Sequence, residues 1–228
     1  FDFWQELLNQ DEVRETLGTE KYIGGLKINY NGHLHPLNLC IGEADAASDL
    51  GVVINEKSPV TKIIHGAKPV VGTSKGSVEA DFVVLAGNAY HFLEPKLRGA
   101  VLPVKSFIIG SEPLSTDLVN RINPQDLAVC DPNYILEYFR LSADKRLLFG
   151  RRFPYFGDNP DIIKKALIPK MLRVYPILKN TEFEFGWGGT IGVTVNRVPQ
   201  LGRISDNVFY SQGYSGHGVN ITHLAGQI

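Results

Sequence analysis

Cysteine is nearly absent from this chain. Only Cys40 and Cys130 occur, far apart. They are too few for a thiolate zinc site or a disulfide framework, which points to a reducing, cytoplasmic setting. An excess of one charge is also lacking. The formal net charge is −1, so there is no basic field for nucleic acid or for an anionic membrane surface. No apolar run approaches the ~20 residues of a membrane helix, and the first residues do not follow the leader-peptide pattern. A G-x-G-x-x-G turn, which opens a dinucleotide-binding βαβ unit, occurs nowhere. Methionine occurs once, at Met171, while the chain opens Phe1-Asp2-Phe3-Trp4 and closes Ala225-Gly226-Gln227-Ile228 inside an expected helix. The sequence therefore reads as a piece of a longer protein or a processed product.

What is present suits a folded chain of one or two domains: 228 residues, 43% of them hydrophobic and 21% charged. Helical spacing of Phe3, Leu7 and Leu8 predicts a helix over 3–17, stopped by Gly18. Residues 22–30 read as strand or loop, with Asn31-Gly32 as a turn. Pro36 suits the first position of a helix that runs to Gly51. Val52 to Glu56 reads as a short strand, and 61–65, 69–73 and 78–80 as an antiparallel meander. Asp81-Phe82-Val83-Val84-Leu85-Ala86-Gly87-Asn88 is apolar throughout and ends in small residues, which predicts a parallel strand buried on both faces. Residues 102–113 make a longer strand, and 134–142 with 145–151 a hairpin about Ala143-Asp144. Asn159-Pro160 starts a helix over 161–175. A Gly-rich strand covers 182–194, and the end reads strand, Gly-rich loop, helix. The α/β pieces are separated in sequence. This predicts an α/β (α+β) chain: an N-terminal segment 1–35, a discontinuous α/β domain of 36–90 and 191–228, and a β-rich domain of 91–190 inserted into it.

Several of these stretches, in this order, resemble the family of FAD-dependent amine and D-amino-acid oxidases. They are Val60 after Glu56-Lys57-Ser58-Pro59, Ala80 to Asn88, the hairpin with Arg146-Leu147-Leu148-Phe149-Gly150-Arg151, and Trp187-Gly188-Gly189-Thr190. Val198-Pro199-Gln200-Leu201-Gly202, Asn207-Val208-Phe209-Tyr210 and Gly213-Tyr214-Ser215-Gly216-His217-Gly218-Val219 continue the series. Gly32-His33-Leu34-His35-Pro36-Leu37-Asn38-Leu39 is similar to the branch acting on γ-glutamylputrescine. The resemblance implies an FAD-binding-type α/β domain, incomplete here, with an inserted mixed β-sheet substrate domain. It further implies a small-molecule amine substrate whose C–N bond is oxidised with oxygen as acceptor. No cysteine stands near Trp187, so the implied FAD is non-covalent; without the pyrophosphate fingerprint, this chain alone is expected to lack it. Asn196 departs from the family, which often has Asp before the Val-Pro step. A sarcosine- or glycine-type oxidase, or a catalytically inert piece, are the alternative readings.

Each candidate residue has a plain structural reading beside the functional one. Gly213, Tyr214, Ser215, Gly216, Gly218 and Val219 either present backbone N–H groups and a helix start to the flavin or form a simple Gly-rich turn. Ala86, Gly87 and Asn88 either let a pyrophosphate approach or permit tight helix–strand packing. Val60 either meets the adenine or is an ordinary strand residue. Alternation places Tyr134, Tyr138 and Arg140 on one face. There the tyrosines, with Trp187, wall an amine pocket and Arg140 binds a carboxylate, or the face is half-solvated. His217, and Tyr138 beside the substrate, are the catalytic candidates; His217 either moves a proton or only shapes the loop. His33 and His35 make a poor metal pair, and His35 caps the following helix. Arg151-Arg152 reads as a solvated surface pair.

Overall fold

The computed structural model describes residues 4–90, 93–152 and 157–228. In chain order its elements begin with β1 (Gln5–Asn9), α1 (Gln10–Leu17), β2 (Gly24–Ile28), α2 (Pro36–Asp49), β3 (Val60–Ile64), β4 (Val70–Thr73), β5 (Ser77–Glu79), β6 (Val83–Leu85) and β7 (Leu102–Pro113). They continue with α3 (Thr116–Ile122), β8 (Val129–Cys130), β9 (Glu137–Leu141), β10 (Arg146–Arg152), α4 (Pro160–Val174), β11 (Phe183–Val193), β12 (Gln200–Ser205), β13 (Val208–Gln212) and α5 (Gly218–Ala225). The chain divides into two units, one of 1–35 with 105–189, the other of 36–104 with 190–228. The second unit is thus discontinuous in sequence. Residues 91–104, expected in the inserted domain, cluster with the α/β unit, and 1–35 cluster with the insert.

The first unit is built on a five-stranded sheet in the order β11-β7-β10-β9-β8. Residues on β9 alternate cleanly: Glu137, Phe139 and Leu141 are buried, whereas Tyr138 and Arg140 are only partly covered. Their partners on β7 and β10 follow suit, so Phe107, Ile109, Leu147 and Phe149 share the buried side. Helix α4 covers that side with Ile163, Leu167, Met171 and Val174, spaced at helical intervals and all at most 1% exposed. Asn159 accepts from the N–H groups of Asp161 and Ile162, and Pro160 occupies the first turn, so the helix starts where its sequence signal says. Tyr175 closes the core and donates its hydroxyl to the Ile122 carbonyl at 2.9 Å. Burying each such side chain contributes about 1.5–3 kcal/mol.

The helix expected from residue 3 begins instead at residue 10. Asn9 and Glu12 form a reciprocal capping box that fixes its start. Leu7 and Leu8 therefore lie in β1, paired antiparallel with Leu26 and Gly25 of β2. Phe3 lies outside the described residues. Gly18 does end the helix, with φ of 59° and its N–H on the Arg14 carbonyl.

In the second unit β12-β13-β6 form one sheet and β3-β4-β5 another. Strands β13 and β6 run parallel, with Val208 opposite Val83 and Tyr210 opposite Leu85. The expected strand at 52–56 is absent: Val52, Val53 and Ile54 are exposed and pair with no strand among the described residues. Strand β6 is also shorter than the apolar run that predicts it. Neither α2 nor α5 has a buried residue. Among the described residues the buried apolar side chains of this unit are Val83, Ala89, Val193, Val208 and Tyr214. Among the described residues no helix is long and apolar enough to cross a membrane.

Candidate functional site

The carboxyl ends of the parallel pair β6 and β13 lie side by side, and two small-residue loops leave them there. Asn88, in a left-handed conformation with φ of 49°, closes the first loop. Its Oδ1 accepts the Gly213 N–H of the second at 2.9 Å. Ala86 and Gly87 are thereby brought to the Gly-rich loop. That loop has a fixed inner side. Tyr214 pairs with Val193, and its hydroxyl bonds the Ser211 hydroxyl. The Ser215 N–H donates to the Gly192 carbonyl at 2.8 Å. Ser215 Oγ donates to the Gly213 carbonyl at 3.1 Å and accepts the Thr194 N–H at 3.3 Å. The outer side is Gly216, His217, Gly218 and Val219, of which only Gly218 is partly covered.

Helix α5 starts at Gly218 with His217 as its cap residue, and no side chain caps it. The His217 N–H donates to the Tyr214 carbonyl at 2.9 Å, whereas the first N–H groups of α5, from Gly218 on, have no acceptor within the helix and place partial positive charge at its start. A group with electron-rich edges and a phosphate tail fits such a place, and a Cβ at Gly216 would have to adopt φ of 98°. The His217 ring has no hydrogen-bond partner among the described residues. Val60 starts β3, opposite Thr73, in the other sheet of this unit. Thr194, Ser215 and the Asn88 amide are structural members of the site that sequence reading did not single out for their side chains. Their partners lie 21 and 125 positions away, so no local pattern marks them.

The far end of α5 is held by a histidine. His223 Nδ1 meets the Val219 carbonyl at 2.7 Å, and Nε2 meets Glu43 Oε1 on α2 at 2.5 Å. Both partners can only accept, so the ring carries both protons. The Val219 carbonyl, then Glu43, hold this imidazole above its ordinary value. A raised value means that the link is fully present below the ordinary imidazole range and is lost as pH rises through the raised value. In an NMR titration the His223 ring is expected to titrate above the ordinary imidazole range. Glu43→Gln should bring it back toward the ordinary value; an unmoved titration refutes the link.

In the first unit the helix-free side of the sheet carries the other candidates. Tyr138 lies opposite Gly150 and Cys130. A Cβ at Gly150 would sit 2.1 Å from the Tyr138 ring, so the glycine is what lets the phenol lie flat across β10. Its hydroxyl bonds Ser106 Oγ at 2.8 Å. Burial pushes the phenol up, keeping it protonated; the Ser106 hydrogen bond pulls against this. A side chain on Gly186 or Gly188 would strike Pro160 of α4 or Phe107, so these face the core. Phe185 and Trp187 therefore face the open side, and Phe185 packs over Gly110.

Tyr138, Arg140 and Trp187 thus share one face. Tyr134 does not. It lies in the turn before β9 and is 92% exposed, because the buried Asp131 carboxylate accepts the Asn133 and Glu137 N–H groups and holds 132–135 out of the strand. Arg140 donates to the carbonyls of Leu34 and Leu141, each at 3.0 Å. His33 is placed beside it, with Nε2 on the Asp126 carbonyl at 2.8 Å. His35 immediately precedes α2. Among the described residues no group of three or more His, Cys, Asp or Glu could hold a metal. Arg151 is not a solvated surface residue: it turns to the core side and pairs with buried Glu137.

One unit thus carries a parallel strand pair ending in a Gly-rich loop and an uncapped helix, and the other a sheet with an exposed aromatic face. The comparisons are more specific. The model of the FAD dependent oxidoreductase family (DAO) matches residues 2–228, and the chain belongs to that family. It is 43% identical over 225 residues to γ-glutamylputrescine oxidoreductase of Escherichia coli (strain K12), covering 98% of this chain and 53% of that protein. It is equally identical over 229 residues to the probable oxidoreductase OrdL of Haemophilus influenzae, covering 98% and 52%. Glycine oxidase from Geobacillus kaustophilus superposes with a TM-score of 0.83 at 22% identity, over 98% of this chain and 61% of that one, which shows a shared fold. The chain spans about half the length of the curated relatives it matches.

Proposed function

We propose that the whole protein oxidises the C–N bond of an amine such as γ-glutamylputrescine, giving an imine that water hydrolyses to the aldehyde, with oxygen as final acceptor. The single observation that carries this reading is the 43% identity to the Escherichia coli enzyme across 98% of this chain. Non-covalent FAD would supply the two-electron chemistry. Of this chain's residues, the outer amides of Gly216, Gly218 and Val219 would hold its ring end. Ala86 and Gly87 at the end of β6 would hold its middle, and Val60 its adenine end. Tyr138 and Trp187 wall the amine and exclude water, and the protonated Tyr138 phenol gives that wall a hydrogen-bond donor. His217, exposed at the start of α5, would serve as a proton acceptor beside the cofactor's ring end.

The 228-residue chain by itself would hold flavin poorly. It has no G-x-G-x-x-G turn, and α2 and α5 leave Leu37, Ile41, Val219 and Leu224 uncovered. The test is anaerobic mixing of the purified full-length protein with γ-glutamylputrescine, sarcosine or glycine. Bleaching of the flavin band by γ-glutamylputrescine at the lowest concentration is expected. Bleaching by sarcosine or glycine alone would replace this reading with that of an amino-acid oxidase. The chain expressed alone should be colourless, and stoichiometric flavin in it would refute that part.

A further inference from the structure

Two arginines stand side by side at the end of β10, and the pleat sends them to opposite faces. Arg151 points to the core side, where it pairs with Glu137, which also binds Lys21. Arg152 lies opposite Ser106, on the open side with Tyr138, Cys130 and Ser106. No carboxylate lies within ion-pair distance of Arg152 among the described residues. The other basic side chains near this face are committed. Arg140 donates to two carbonyls, Arg146 pairs with Asp144 and Glu184, and Lys105 with Asp158. The nearby Asp131 is fully buried and takes N–H groups of Asn133 and Glu137, so it does not neutralise Arg152.

We infer that Arg152 binds a substrate carboxylate on the open face, with Tyr138 as the floor beneath the chain that leads from that carboxylate to the amine. A half-covered guanidinium beside the Tyr138 phenol, with no carboxylate paired to it among the described residues, is suited to a planar, two-oxygen anion. Its charge is felt by its neighbours, since it favours the ionised forms of both the Tyr138 phenol and the Cys130 thiol. For the identity of the anion the inference rests on the proposed function, because a γ-glutamyl group carries one carboxylate. It assigns that group to Arg152 rather than to Arg140.

The test is calorimetric titration of the full-length protein with glutarate and with its uncharged analogue glutaramide. Wild type is expected to bind glutarate more tightly than glutaramide. Arg152→Gln should weaken glutarate about 10- to 100-fold, the worth of hydrogen bonds to a charged group, while glutaramide moves less than about two-fold. Arg152→Lys should recover part of the loss, which a merely misfolded variant would not. Absence of glutarate binding by wild type, or equal loss for both probes, overturns the site. If γ-glutamylputrescine leaves the flavin oxidised but glutarate still depends on Arg152, the substrate assignment falls and the site stands.

Discussion

Gly213→Ala is expected to destabilise the α/β unit by about 3 kcal/mol and to strip flavin from the full-length protein. The backbone there has φ of 73°, which costs an alanine about 1 kcal/mol. The added Cβ would lie 2.4 Å from Thr194 Cγ2, and relieving such an overlap costs a further ~1–3 kcal/mol. Thr194 is not free to turn aside. Its Oγ1 bonds the Val198 carbonyl at 2.9 Å and its N–H bonds Ser215 Oγ. Moving Gly213 instead breaks its bond to Asn88, which ties the two loops together. The neighbouring Gly218→Ala is the control: its Cβ would meet Tyr214 Cβ at an ordinary 3.5 Å, so stability should hold or rise slightly. Urea unfolding of both variants, with flavin content of the full-length forms, checks this. A Gly213→Ala protein as stable as wild type would refute the wedge.

The elements legible in the sequence are those whose start and stop signals lie within them. Asn159-Pro160 and Gly18 mark helix ends through their own backbone chemistry, and the Ala143-Asp144 turn fixes the β9–β10 hairpin. Local reading fails where a distant partner decides. Leu7-Leu8 fits either period, and pairing with Leu26 and Gly25 of β2 makes it a strand. Val52 to Ile54 has the composition of a strand without a partner among the described residues. The site shows the same division. Alternation places Tyr138 and Arg140 together, but the Asp131 carboxylate removes Tyr134 from that face. The Asn88 bond that joins the small-residue run to the Gly-rich loop spans 125 positions and leaves no periodic trace. Glycines mark both the loop and the open face, yet only the structure shows which ring or side chain each one admits.

Replacing Glu137 by glutamine should cost the first unit about 3–5 kcal/mol, the cost of breaking a buried ion pair by removing one partner. Its side chain is only 4% exposed, and it binds both Lys21 and Arg151. The variant leaves two partly buried cations facing each other. Asp131, at 3.9 Å from Lys21, relieves one of them in part. The charges need not stabilise the fold in themselves, because desolvating three ions offsets much of their attraction. Glu137→Leu combined with Lys21→Met and Arg151→Met should therefore be more stable than Glu137→Gln alone, as urea unfolding would show. The reverse order would mean that the network contributes net stability. Arg152 lies across the sheet from this cluster, so Glu137→Gln protein that remains folded should keep its preference for glutarate over glutaramide. A lost preference would mean that the two arginines are not separated by the sheet as their register places them.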